Sequence, residues 1–78
     1  MATKKIDWNA HAKQILKSEM MRRGITNEAL VLKLKDIGVK ETKSSVESKI
    51  YRGTFSAAFF LQCLNALGIK NLNAEITT

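Results

Sequence analysis

A chain of 78 residues with 45% hydrophobic side chains, no Pro and only four Gly holds enough apolar area for one small compact domain, which excludes a disordered polypeptide. One Cys and one His exclude a disulfide framework and a tetrahedral metal site assembled within the chain. Thirteen Lys and Arg against seven Asp and Glu leave a net charge of +6, and that excess points toward an acidic or polyanionic partner.

The charge is unevenly placed. Residues 1–23 carry six positive and two negative side chains, residues 33–52 carry six and three, and beyond Gly53 there remain only Lys70 and Glu75. Such a distribution suits a basic face mounted on an apolar base. No apolar run approaches the roughly 20 residues of a membrane span, and the start MATKKIDW lacks the apolar middle of a signal peptide. A cytoplasmic protein with no membrane partner is expected.

Glycines punctuate the chain, each closing a periodic segment. Trp8, Ala12, Ile15, Leu16 and Met20 share one stripe of a first helix, with Asp7 as N-cap, Arg22 and Arg23 against the negative end of its dipole, and Gly24 as its stop. Thr26 caps a second helix with Glu28 in its first turn and Leu30, Val31, Leu34 and Ile37 on the buried stripe before Gly38; Leu32 falls on the opposite face.

The third helix begins at one of two caps. Ser44 to Glu47 has the spacing of a capping box, and Thr42 is a competing cap two residues earlier. It ends at Arg52 before Gly53. At 100° per residue Val46 and Ile50 point one way, Ser44, Ser48, Tyr51 and Arg52 point away from them, and Ser45 and Lys49 flank. A fourth helix, capped by Thr54 or Ser56, places Ala57, Phe60, Cys63, Leu64 and Leu67 inward and ends at Gly68. It also carries Phe59 and Leu61, so it is apolar around most of its circumference, as befits a central helix or an oligomer interface. Ile69, Leu72 and Ile76 offer apolar groups for a short closing element.

The expected architecture is therefore all-α: a compact four- to five-helix bundle forming a single helical domain over 1–78. Its core spans 7–68, with a short basic arm over 1–6 and a tail over 69–78. Catalysis finds little support. His11 flanks the first stripe with no nucleophile or carboxylate at a productive spacing, Cys63 sits on an inner stripe where free cysteine is inert, and there is no Gly-rich phosphate loop. No enzyme activity, cofactor, metal or small-molecule ligand is expected.

A helix ending near Gly38, a turn, and a polar helix with small hydroxyl and basic groups at its start follow the helix-turn-helix plan, in which the second helix enters the DNA major groove. The stretches ITNEALVLKL, SSVESKIYRG and LQCLNALGI resemble the corresponding parts of phage-repressor-like helix-turn-helix domains. Trp8, ILK, RRGIT, KIYRGTFS, FFLQCL and ALG are together similar to a group of small uncharacterised bacterial helix-turn-helix-like proteins. Asn27 and Ser44 or Ser45 stand where the repressor pattern has Gln, and GVKETK is a longer turn than usual.

The resemblance implies a compact helical fold of four or five helices, and no known function comes with the closer group; joined to the polar third helix, it leads to the expectation of a bacterial transcriptional regulator that binds double-stranded DNA. Phosphate contacts are expected from Lys40, Lys43, Lys49 and Arg52, and base or sugar contacts from Ser44, Ser45, Ser48 and Tyr51. A homodimer is the expected state, with Leu32, Phe59 and Leu61 as candidate interface residues. The rival expectation is a protein-interaction or antitoxin-like adaptor that keeps the fold but does not bind DNA.

Overall fold

The computed structural model describes residues 5–72, which form four helices: α1 (Trp8–Arg22), α2 (Asn27–Asp36), α3 (Lys43–Arg52) and α4 (Ala57–Ala66). Each begins at a side chain able to accept from an amide left free by the first turn. Asp7 accepts from the Ala10 amide, Thr26 from Ala29, Thr42 from Ser45 and Ser56 from Phe59. Thr42 therefore caps α3, and Ser44 lies inside the helix; no capping box forms between Ser44 and Glu47.

Three helices stop in the same way. After α1, α2 and α4, Gly24, Gly38 and Gly68 adopt positive φ, and the next residue donates back five positions: Ile25 to Met20, Val39 to Leu34 and Ile69 to Leu64, each at 2.9 Å. This is the Schellman arrangement, which satisfies carbonyls left open at the helix end. Its β-branched closing residue tucks against the core in all three cases. A local stop signal thus also supplies a tertiary contact.

Leu16, Leu30, Leu34, Val46 and Cys63 are fully buried, with Met20, Ile50, Phe59, Leu64 and Leu67 nearly so. The core draws on all four helices, with α2 packed on both α3 and α4 and α1 touching α3 and α4. At about 25 cal/mol per Å² of apolar surface removed from water, such leucines are the main driving force, each contributing about 1.5–3 kcal/mol.

Several expectations about inward faces are corrected. Trp8 is 52% exposed, because it is the first residue of α1 and extends beyond the helices that cover Leu16 and Met20; its ring meets His11 edge-on instead. On α4 the two phenylalanines exchange roles: Phe59 is 3% exposed within the core and Phe60 is only partly buried. Phe59 shares its side of the helix with Cys63 one turn on, and that side faces the cluster. Val31 is half-buried, Ile37 is exposed at the α2 C-cap, and Ala57, expected inward, is exposed as the first residue of α4. Residues 1–4 of the basic arm and residues 73–78 of the tail, Ile76 included, lie outside the described residues.

Candidate nucleic-acid interface

The polar side of α3 is open. Val46 and Ile50 are the only buried residues of this helix, one turn apart on its inner side, so two aliphatic anchors hold it down. Ser44, Ser48, Tyr51 and Arg52 are exposed, Tyr51 at 80%. The side chains of Ser44, Ser48 and Arg52 make no hydrogen bond or ion pair among the described residues. Lys40, in the turn before α3, is likewise exposed and unpaired there.

The flanking groups are committed inside the molecule. Ser45 Oγ donates to a Glu41 oxygen at 2.7 Å and Lys49 Nζ to the other at 2.8 Å. The Lys49 ammonium also stands 4.8 Å from the centre of the Phe59 ring. Lys49 thus joins the turn before α3 to α3 itself and to α4. The two donors, Lys49 first and Ser45 second, hold the Glu41 carboxyl below its ordinary value. Lys43 pairs with Glu28 at 2.9 Å across the α2–α3 gap, which lowers the Glu28 pKa and raises that of Lys43. Of the eight residues nominated on sequence grounds, Lys40, Ser44, Ser48 and Arg52 face solvent with uncommitted side chains, and Tyr51 has one partner.

That partner is Lys13 of α1, whose ammonium lies 5.0 Å from the Tyr51 ring centre and donates to the Tyr51 carbonyl at 2.7 Å. The carbonyl is one of those left open near the end of α3, so Lys13 acts as a cap supplied from another helix. Beside it an open groove of about 760 Å³ runs between α1, the start of α2 and α3. Its floor is Met20, Ile25 and Ile50, and Lys13 and Lys17 face Ser44, Glu47, Ser48 and Tyr51 across it. Sequence reasoning passed over Lys13 and Lys17 because only their i, i+4 spacing marks them, and that is common on any solvated helix.

It also passed over Glu19. This carboxylate is buried, with Arg23 bonded to both its side chain and its carbonyl and Arg22 more distantly paired. The two arginines therefore serve Glu19 before the helix dipole. Among the candidate interface residues, Leu32 and Leu61 are 64% and 63% exposed, but Phe59 is in the core and has no surface to offer a second chain.

Cys63 is buried, and that burial pushes its thiol up to about 12. Among the described residues no three of His, Cys, Asp and Glu come together to hold a metal ion, and no helix is long and apolar enough to cross a membrane. Residues 8–72 match the family described as "Domain of unknown function (DUF6471)". No match was found among curated proteins or among solved structures.

Proposed function

The chain belongs to the DUF6471 family, and we propose that it binds double-stranded DNA through the exposed side of α3, as a bacterial transcriptional regulator that occupies an operator. One observation carries this reading: Val46 and Ile50 are the only buried side chains of α3, while Ser44, Ser48, Tyr51 and Arg52 stand exposed on a protein of net charge +6. Small hydroxyl side chains near the start of a helix leave its backbone thin enough to approach base edges, and Arg52 has the fork geometry for a guanine edge or a phosphate. Lys40 adds a phosphate contact from the turn. The repressor-like pattern in the sequence supports the same assignment.

Titration of labelled duplex DNA by fluorescence anisotropy across a salt series tests it. Affinity falls by about 0.9 log units per log unit of salt for each phosphate neutralised. Arg52→Ala weakens binding, and Ser48→Glu abolishes it by setting a carboxylate against the polyanion. Binding that ignores salt, or that survives Ser48→Glu and Arg52→Glu together, removes the proposal. Lys49 is kept intact in these variants, since its loss unfastens the Glu41 contact and perturbs α3 itself.

Two exposed leucines, Leu32 and Leu61, favour a second reading, in which the same fold serves as a protein-interaction module. They also offer apolar surface for a homodimer, which would set two copies of α3 against successive turns of the duplex. Leu61→Lys combined with analytical ultracentrifugation separates these roles from DNA contact: a dimer built on Leu61 dissociates, while the salt response of each α3 persists.

A further inference from the structure

The sequence nominates Lys43 and Lys49 as phosphate ligands, yet both ammonium groups are already held by carboxylates, Glu28 and Glu41. Lys40 and Arg52 remain uncommitted on this face, and any neutralising charge beyond those two has to come from another helix. Across the groove, Lys17 has no hydrogen bond or ion pair among the described residues, and Lys13 bonds only a neutral carbonyl and a ring. Both are on the wall that faces Ser44, Ser48 and Tyr51.

We infer that the α1–α3 groove is part of the nucleic-acid surface, and that Lys17, with Lys13 beside it, takes the sugar–phosphate strand flanking the bases addressed by α3. This rests on the DNA reading above and extends its footprint to a second helix. Charge complementarity supports this occupant on the α1 wall, which carries two cations, Lys13 and Lys17; Glu47 on the opposite, α3 wall is a like charge to a phosphate, so the strand is expected along the lysine rim. The floor fits as well. Met20, Ile25 and Ile50 present methyl and methylene groups, against which the apolar face of a deoxyribose packs while its phosphates reach the lysines at the rim. A free inorganic anion would leave that floor uncovered.

The test is the salt dependence of duplex affinity for wild type, Lys17→Gln, Lys17→Arg and a control, Lys35→Gln, whose side chain is exposed on α2 away from the groove. Loss of one phosphate contact reduces the salt slope by about 0.9 and weakens binding roughly eightfold at 0.1 M salt. Lys17→Gln is expected to show both changes, Lys17→Arg to restore the slope, and Lys35→Gln to match wild type. The thermal midpoint of Lys17→Gln stays at the wild-type value, because Lys17 contributes no internal bond. An unchanged slope in Lys17→Gln overturns the groove assignment and leaves α3 as the whole interface. A wild-type protein with no salt-dependent duplex binding instead overturns the function proposed above.

Discussion

Replacing Glu41 by Gln keeps the shape of the side chain and removes its charge. The Glu41 side chain is 13% exposed and accepts from Ser45 at 2.7 Å and Lys49 at 2.8 Å. An exposed ion pair contributes about 0–1 kcal/mol, whereas a hydrogen bond to a charged group contributes about 1.5–3 kcal/mol. Lys49 is 41% exposed, so water screens its half of the pair. The Ser45 bond is better enclosed, and the whole contact is then worth about 2 kcal/mol.

In a domain of this size each kcal/mol moves the melting midpoint by about 4–8 °C, so Glu41→Gln lowers it by about 8–16 °C. The pH dependence follows from the direction of the shift. The folded carboxyl titrates below its ordinary value of 4.5, so its contribution is present above the unfolded value and is lost as pH falls through the folded one. Circular-dichroism melts of the two proteins should differ at neutral pH and converge in acid. A double-mutant cycle with Lys49→Met isolates the pair, with an expected coupling of about 1 kcal/mol. Melting points within about 2 °C of each other at neutral pH, or a gap of the same size in acid, would refute the reasoning.

Three further outcomes are expected. Thr42→Ala costs about 1 kcal/mol in urea titrations and Ser44→Ala close to none, since Thr42 alone caps α3; equal losses would restore the Ser44 cap. Gly53→Ala costs about 2 kcal/mol or more, because Gly53 sits at φ +70 and an added Cβ would lie 3.3 Å from both the Asn9 carbonyl and the Lys13 Cβ, whereas Gly24→Ala meets open space and suffers only the backbone strain. Cys63, its thiol at about 12, is roughly one part in ten thousand thiolate at pH 8. It should react with an aromatic disulfide reagent only on unfolding, and rapid reaction of the native protein would show that the core opens there.

Helix positions were legible because their causes lie within a few residues. The caps Asp7 and Thr26, the stops at Gly24, Gly38 and Gly68, and the apolar spacing of Leu30 with Leu34 and of Val46 with Ile50 are all set by hydrogen bonds and periodicity inside one segment. Where two caps competed, at Thr42 and Ser44 and at Thr54 and Ser56, local pattern left both standing, and the folded chain uses Thr42 and Ser56. The open side of α3 was also readable, because two apolar residues in a ten-residue helix can turn only one edge inward.

The order of residues was therefore enough for the four helices of the described region, their glycine stops and the polar edge of α3, but not for where α3 and α4 begin. Tertiary structure decided what each long or flanking side chain does. It turned Phe59 inward and left Trp8 out, since a residue at the edge of an apolar stripe is buried only if a neighbouring helix reaches it. It drew Lys43 to Glu28 and Lys49 to Glu41, and it brought Lys13 to the end of α3 across 38 residues of chain. Hydrogen bonds within a segment depend on the order of residues along the chain. Ion pairs and grooves depend on which surfaces meet, and the meeting of α1 with α3 is settled only when the core closes around Leu16, Val46 and Cys63.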